Sequence, residues 1–161
     1  MRPDSPGHDP QEDTVEIHFN DSRPANTSAA MLFEVLTDYV SYPSFNKAVT
    51  NVRVVRKDES GAEFVADRTT KIGKQVRAYD SYTRQRDLSV SRTYAGNSSA
   101  RSTWTVHPVD ADHCTLTIDA TQTMGPVRGV LMKPALKKLF YGINFTPFIE
   151  EAERRAKAVK A

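Results

Sequence analysis

The sequence predicts an α+β fold, and three patterns support this prediction. Six consecutive segments between residues 48 and 124 alternate apolar and polar side chains and are joined by short polar links of hairpin length. Two short stretches between residues 27 and 45 have helical spacing, and the last third of the chain, 125–161, has the pattern of a long helix. Because a large antiparallel sheet curls strongly, one long helix laid in its concave face would close it.

The N-terminal part contains a leader and a first strand. Residues 1–13 are rich in proline and aspartate and have little to bury, so we expect a disordered leader followed by one domain over 14–161. Apolar and polar side chains alternate from residue 15 to 20, which predicts a half-buried strand with His18 on its polar face. The sequence Asp-Ser-Arg-Pro at 21–24 favours a turn.

Two short helices are predicted after this strand. Thr27 or Ser28 is a suitable N-cap for a helix that runs through Leu36, because apolar residues follow at helical spacing. Residues 38–45 predict a second short helical turn that ends at its proline.

Six further strands complete the predicted sheet, which then has seven. They cover 48–56, 62–71, 74–84, 87–95, 99–107 and 114–124. The links between them consist of residues such as Gly, Asn, Asp and Ser, which favour tight turns.

The terminal helix carries two apolar stripes, one over 136–143 and one over 145–156. At 100° per residue these stripes point in nearly opposite directions, so a straight helix would leave one of them in water. Gly142 and Pro147 lie between the stripes, and proline inside a helix removes a backbone hydrogen bond and bends it. We therefore predict a break or kink at 142–147.

Composition excludes several classes of protein. Lys and Arg number 22 and Asp and Glu number 20, so the net charge of +2 gives no reason to expect binding to nucleic acid or to an anionic membrane. Cys114 is the single cysteine, which rules out an intrachain disulfide and favours a reducing, cytoplasmic location. No apolar run approaches the roughly 20 residues of a transmembrane helix, and the N-terminus does not resemble a signal peptide.

Two segments resemble a known superfamily. The run AMLFEVLTDYVSYPSF at 30–45 resembles the opening of START-like (SRPBCC, pollen-allergen-type) domains, and STWTVHP at 102–108 with CTLTI at 114–118 resembles their late tryptophan strand and hairpin. The likeness covers about 22–160 and is nearest to bacterial polyketide cyclase/dehydrase proteins and coenzyme-Q-binding lipid chaperones. It implies a helix-grip fold: a seven-stranded curved antiparallel sheet wrapped around a long C-terminal helix, with an elongated ligand cavity between them.

Alternation along each strand then indicates which side chains face that cavity. The inward faces, together with the terminal helix, supply the predicted ligand-binding residues. These are Phe64, Arg68, Val76, Ala78, Val90, Tyr94, Ser102, Trp104, Ile118, Gln122, Phe140 and Asn144.

Asp80, Tyr82 and Arg92 are the predicted catalytic residues, because they are polar side chains on adjacent strands of an inward surface where a plain core would have none. A buried charge must find a partner, so one interpretation is an ion pair of Asp80 with Arg92 or Arg68 beside a wet cavity mouth. The other is that Arg92 and tyrosine hydroxyls bind the carbonyl oxygens of a polyketide while Asp80 moves a proton. Neither interpretation needs a metal, a cofactor or a nucleophile.

Three functions remain open at this point. The favoured one is a polyketide cyclase/dehydratase-like enzyme of secondary metabolism; the others are a non-catalytic lipid or quinone carrier of the coenzyme-Q-binding type and a ligand-responsive interaction protein. The expected ligand is a polyketide, lipid or quinone, and the chain is expected to be a monomer or homodimer. A basic cluster is most simply a solvated surface, with docking of an acyl carrier protein as the alternative. It consists of Lys71, Lys74, Arg77, Arg84 and Arg86.

Overall fold

A computed structural model describes residues 15–68, 75–85, 87–95, 97–124 and 145–160. Its seven strands form one antiparallel sheet in the order β1-β7-β6-β5-β4-β3-β2. The strands are β1 Val15–Ala25, β2 Val49–Lys57, β3 Gly61–Arg68, β4 Gln75–Arg84, β5 Leu88–Tyr94, β6 Asn97–Asp110 and β7 His113–Met124. Together with the helices described next, this confirms the predicted α+β helix-grip fold.

The two predicted helices after β1 are present. Helix α1 covers Ala29–Leu36, and the hydroxyl of its N-cap, Ser28, accepts a hydrogen bond from the amide of Met31 at 3.1 Å. A single 3-10 turn, Tyr39–Ser41, leads into α2, Tyr42–Phe45. The prediction that the proline would end this segment was wrong. Proline lies in the first turn of α2, where its missing N–H costs no helical hydrogen bond.

The turn predicted at 21–24 is also wrong, because β1 continues through Pro24 to Ala25 and stays paired with β7. Strand β1 lies at the edge of the sheet. An edge strand has one unpaired side, so a proline is tolerated there. Similarly, β6 extends past Pro108, and the register shifts between Pro108 and Asp110 at an irregularity of the type that accommodates proline.

The core lies between the concave face of the sheet, α1 and a C-terminal helix, α3, which covers residues 145–160 of the described chain. Helix α3 supplies four buried apolar side chains from its second predicted stripe: Phe145, Phe148, Ile149 and Ala152. The first stripe and the first half of the predicted kink, residues 142–144, lie outside the described residues, and the helix is continuous from 145 through Pro147. None of the helices in the described part of the chain combines the length and apolar character that a membrane crossing requires.

Candidate functional site

An ion pair lies on the concave face at the middle of the sheet. Asp80 on β4 and Arg92 on β5 are directly opposite each other in the register. Arg92 Nε donates to Asp80 Oδ1 at 2.8 Å, and Nη2 donates to Oδ2 at 2.9 Å, so the pair is bidentate. Only 4% of Asp80 and 7% of Arg92 is exposed. The structure therefore contains the predicted Asp80–Arg92 pair, buried among apolar side chains.

Three tyrosines extend this pair into a polar cluster, which we define as Tyr39, Tyr42, Asp80, Tyr82 and Arg92. The Tyr39 hydroxyl donates to Asp80 Oδ2 at 2.7 Å and lies 2.6 Å from the Tyr82 hydroxyl. The Tyr42 hydroxyl accepts from Arg92 Nη2 at 3.0 Å and donates to the backbone carbonyl of Leu36. Strands β4 and β5 thus hold the charges, and the segment after α1 holds two of the hydroxyls.

Aromatic rings surround the guanidinium of Arg92. Its central carbon lies 5.0 Å from the ring centroid of Phe64, 5.7 Å from those of Tyr42 and Trp104, and 6.0 Å from that of Tyr39. At these distances, cation–π attraction adds to the ion pair. The aromatic residues also keep water away from the pair, which strengthens its electrostatics.

The protonation states of the cluster follow from its burial. Burial raises the pKa of Tyr39, and the charge of Asp80 raises it further. Burial likewise raises the pKa of Tyr42, against the opposing effect of Arg92. Burial alone would lower the pKa of Arg92, but the Asp80 carboxylate outweighs it and raises the pKa above its usual range. These phenols are therefore neutral and the guanidinium is charged throughout the physiological pH range.

A narrow gap borders the polar cluster. It is lined by Leu36, Tyr42, Val90, Arg92 and Trp104 and is too narrow to hold a water molecule. The described residues lining this gap do not form the elongated cavity expected from the sequence. A ligand at this position would require the gap to widen.

The predicted catalytic residues are brought together: Asp80 and Arg92 form the ion pair, and Tyr82 reaches Asp80 through Tyr39. Among the predicted ligand-binding residues, one group is buried and faces the core: Phe64, Ala78, Val90, Trp104 and Ile118. A second group, Val76, Tyr94 and Ser102, is half-buried.

Two predicted binding residues lie at the margins of the sheet. Arg68 and Gln122 belong to inward faces but are exposed, and Arg68 Nη2 donates to the Tyr94 hydroxyl at 2.6 Å. Their strands continue to the sheet ends, where the core no longer covers them. Phe140 and Asn144 lie outside the described residues.

Sequence reasoning did not assign Tyr39 and Tyr42 to the site. Both are buried at 1% and 3% exposure, and both bind the ion pair. A signal was present, because two tyrosines three residues apart share one face of a helical turn and carry hydroxyls that a buried charge pair can use. Their orientation toward the sheet is decided by how α1 packs.

Two other predicted features have ordinary surroundings. Cys114 is buried, and burial followed by the charge of Glu153 raises the pKa of its thiol to about 11, as for a structural cysteine. In the basic cluster, Arg77 pairs with Glu63 at 2.9 Å, and Arg84 lies over the ring of Phe33 at 4.9 Å, whereas Lys71, Lys74 and Arg86 lie outside the described residues. Docking of an acyl carrier protein stays a prediction.

Solved structures with the same fold include an aromatase/cyclase, a norcoclaurine synthase and a lipid transfer protein. An aromatase/cyclase from Streptomyces sp. R1128 is 15% identical, with a TM-score of 0.70 over 90% of this chain and 98% of that chain. Norcoclaurine synthase from Thalictrum flavum is 14% identical, with a TM-score of 0.62 over 99% and 98% of the two chains. A STAR-related lipid transfer protein fragment from Xanthomonas axonopodis is 12% identical, with a TM-score of 0.67 over 84% and 85%.

At these identities the solved structures establish the fold alone. No curated protein matches the chain by sequence. A family model does match, over residues 16–153, which is most of the chain. The chain belongs to the polyketide cyclase/dehydrase and lipid transport family.

Proposed function

We propose that this protein binds a hydrophobic small molecule against the concave face of the sheet and acts on it as a polyketide cyclase/dehydratase-like enzyme. Arg92 is the central residue of the proposal. It lines the gap, and its Nη1 group forms no hydrogen bond with a described residue, so we assign the two N–H groups of Nη1 to a ligand oxygen.

That arrangement suits stabilisation of a developing enolate. The guanidinium is held rigidly by Asp80 and Tyr42, so it needs no reorientation as negative charge forms on a substrate carbonyl. The surrounding aromatic rings exclude water and increase the electrostatic effect. Aldol-type closure passes through such an enolate: the acidic methylene between two ketones releases its proton to solvent water, the enolate carbon attacks a second carbonyl, and the alkoxide formed there takes up a proton and leaves as water.

The role first expected of Asp80, moving a proton, is less well supported. Its two oxygens already accept three hydrogen bonds, from Arg92 Nε, Arg92 Nη2 and the Tyr39 hydroxyl. A carboxylate engaged in this way holds Arg92 in position, and it would have to exchange a partner before taking a proton. We therefore propose Arg92 as the catalytic residue and Asp80 and Tyr39 as positioning residues.

A non-catalytic carrier of lipids or quinones is the second candidate. The engagement of Asp80 in three hydrogen bonds also favours it, since a carrier requires only an apolar surface and a donor that orients the ligand. In the carrier, Arg92 would bind a ligand oxygen and no turnover would follow.

The test compares turnover with ligand retention. A short tri-β-ketone thioester mimic is incubated with the wild type, with Arg92→Lys and with Arg101→Lys, an exposed arginine on β6 that serves as the matched control. We expect the wild type and Arg101→Lys to form cyclised, dehydrated product faster than the spontaneous reaction. Arg92→Lys should be about 100-fold slower, because the bidentate geometry and the free Nη1 donors are lost.

Product formation at the spontaneous rate in all three proteins would contradict catalysis. Native mass spectrometry of the purified wild type then decides the carrier function, because a retained apolar molecule would support it. Unchanged turnover in folded Arg92→Lys would contradict the role of Arg92.

A further inference from the structure

The gap beside Arg92 has a rigid side and a side that is free to move. The rigid side is formed by Val90, Arg92 and Trp104 on β5 and β6, two strands that are hydrogen-bonded to a neighbouring strand along each edge. The other side is formed by Leu36 at the end of α1 and Tyr42 at the start of α2. Separating the strands would break a whole ladder of hydrogen bonds, so the gap widens by movement of the helical side.

A short connection joins the two helices at this point, and we call residues 37–41 the linker. It consists of Thr37, Asp38 and the 3-10 turn Tyr39–Ser41, whose central valine is 69% exposed. A single 3-10 turn has few internal hydrogen bonds, and exposed segments of this kind open at a lower free energy than a sheet does. Displacing the linker draws Leu36 and Tyr42 away from β5 and β6.

Two basic side chains bind the linker from outside the gap. Lys57 Nζ, on the edge strand β2, donates to the carbonyl oxygen of Thr37 at 2.7 Å. Arg155 Nη2, on α3, donates to Asp38 Oδ2 at 2.8 Å. The side chains of Arg155 and Asp38 are 19% and 34% exposed, so water screens their attraction only in part. Because both contacts are made to the linker itself, a change in either acts on the gap through the linker.

We propose that a ligand reaches Arg92 by displacing the linker, which Lys57 and Arg155 hold in place in the ligand-free protein. The linker stays displaced while the ligand is bound, because the closed gap is too narrow even for a water molecule. The apparent affinity is then reduced by the small fraction of free protein in which the linker is displaced. This inference rests on the proposed binding function and names its entry route.

Three variants separate the linker contact from the rest of the charge network. Asp38→Ala removes the partner of Arg155, and it costs no cap, because the Asp38 side chain makes no capping hydrogen bond to the 3-10 turn. Arg155→Gln removes the same contact from the side of α3. Arg154→Gln is the matched control, since Arg154 also binds Glu151 but is 67% exposed and, within the described part of the chain, binds Glu151 alone.

The first measurement needs no ligand. Trp104 is the single tryptophan of the chain, is 4% exposed and lines the gap, so quenching of its fluorescence by acrylamide reports how often the gap opens. We expect the quenching constant to rise about fivefold in Asp38→Ala and Arg155→Gln, as for loss of a partly exposed ion pair, and to keep its wild-type value in Arg154→Gln. In about 1 M NaCl the wild type should approach Asp38→Ala, because salt screens the pair.

The second measurement follows the entry of 2-acetylnaphthalene by stopped-flow quenching of Trp104. This aromatic ketone is neutral, so salt and charge changes act on the protein alone. In Asp38→Ala and Arg155→Gln the association rate constant should rise about fivefold and the dissociation rate constant should stay unchanged, because only the fraction of displaced linker increases. Lys57→Met, which keeps the apolar stem and removes the other outer contact, should act in the same direction.

The outcomes distinguish this inference from the proposed function. If acrylamide quenching rises as expected but 2-acetylnaphthalene does not bind the wild type, the linker opens as inferred and the proposed binding function fails. If the probe binds and Asp38→Ala matches the wild type in both measurements, the binding function stands and the linker is not the entry route.

Two further results would overturn the inference. Equal changes in Arg154→Gln and Arg155→Gln would assign the effect to Glu151, and a dissociation rate constant that rises together with the association rate constant would contradict a displaced linker in the bound state. Arg155→Gln and its control decide the matter even if Asp38→Ala does not fold.

Discussion

At the scale of single residues, Tyr39 links Asp80 to Tyr82 within the polar cluster. Its hydroxyl is within 2.7 Å of Asp80 and 2.6 Å of Tyr82, and its ring stacks on Phe64 with centroids 4.6 Å apart. The residue is 1% exposed, so each of these hydrogen bonds replaces contact with water. Losing the hydroxyl therefore removes one of the three donors to Asp80 and leaves the half-buried Tyr82 hydroxyl without this partner.

Substituting Tyr39→Phe should lower the free energy of unfolding by about 1–3 kcal/mol, because Asp80 loses a donor and Tyr82 loses an acceptor. The measurement is urea denaturation followed by circular dichroism. Tyr79→Phe is the control, since Tyr79 is 41% exposed and should change stability by less than about 0.5 kcal/mol. Equal losses in the two variants would show that the hydrogen bonds of Tyr39 contribute nothing specific.

Predictions about single residues were correct where the two-residue period of a strand determines which face of the sheet a side chain occupies. Asp80 and Arg92 were placed inward because side chains two apart on a strand share a face, and the structure confirms both positions. Tyr39 and Tyr42 were not assigned, because the direction of a short helical turn relative to a sheet depends on packing that no local pattern encodes.

At the scale of elements, α3 is fastened to the segment after α1 by a network of charges. Glu151 accepts hydrogen bonds from Arg154 at 2.7 Å and Arg155 at 2.9 Å, and Arg155 also donates to Asp38 at 2.8 Å. Hydrogen bonds from Arg154 first, and then from Arg155, lower the pKa of Glu151 to about 2. This network holds the helix that carries Phe148 against the segment that carries Tyr39.

The lowered pKa predicts how stability depends on pH. Because the pKa of Glu151 is lower in the folded than in the unfolded chain, its contribution is present above the unfolded value of about 4.5 and is lost as pH falls toward 2. Glu151→Gln should remove about 1 kcal/mol of stability at pH 7 after solvent screening and flatten the decline between pH 4.5 and 2. Urea titrations at several pH values test this, with the exposed Glu150→Gln as control. An unchanged slope in Glu151→Gln would contradict it.

Gly61 controls the approach of β3 to β4 beside the ion pair. A Cβ at this position would lie 2.0 Å from the backbone carbonyl oxygen of Asp80, so only glycine fits without a backbone shift. This close approach is compatible with the hydrogen bond from the Tyr82 amide to the Ser60 carbonyl at 2.9 Å. The same few residues therefore set the position of both Asp80 and Tyr82.

Gly61→Ala should destabilise the protein by about 1–3 kcal/mol, because the two strands must separate locally. Amide hydrogen exchange should also become faster at Tyr82, whose N–H depends on the adjacent loop. Glu59→Ala, an exposed change in the same loop, is the control and should alter neither quantity. If amide hydrogen exchange at Tyr82 is unchanged in Gly61→Ala, the strands accommodate the extra methyl group without separating beside Tyr82, and the prediction is wrong.

Element boundaries were predicted well wherever hairpin links are short and polar, as at the ends of β4 and β5. The errors occurred at prolines. Pro24 was interpreted as part of a turn, yet it continues β1, since a proline is tolerated in a strand that lies at the sheet edge. Which strand lies at the edge is a property of the assembled sheet.

At the scale of the whole molecule, α3 covers the concave face of the sheet, and its Phe148 packs against three aromatic rings there. Phe148 is 2% exposed and contacts Trp104, Tyr42 and Phe45, with ring centroids 5.2, 5.1 and 5.4 Å away. Trp104 and Tyr42 also line the gap beside Arg92. The contact between helix and sheet thus determines how much space a ligand finds.

Phe148→Ala should lower the free energy of unfolding by about 3–5 kcal/mol, because the ring leaves a cavity in the core. It should also bind 2-acetylnaphthalene about tenfold more tightly than the wild type, since the gap no longer has to widen. Phe148 packs on Tyr42 and Trp104, which line the gap, whereas Ile149→Ala removes another buried side chain of α3 and serves as the control, so it should lose stability without gaining affinity. Equal affinities in these two variants would show that the ligand does not enter beside Phe148.

The sequence by itself determined the fold class, the seven strands, the capped helix after β1 and the inward placement of Asp80 and Arg92. These features follow from local periods and capping chemistry, which act over a few residues. The tertiary structure decided which hydroxyls reach the ion pair, which strands form the edges and how little space remains beside Arg92. Those depend on contacts between residues about 40 or more positions apart, such as Tyr39 with Asp80 and Tyr42 with Arg92, whose geometry exists only when the helices pack on the sheet.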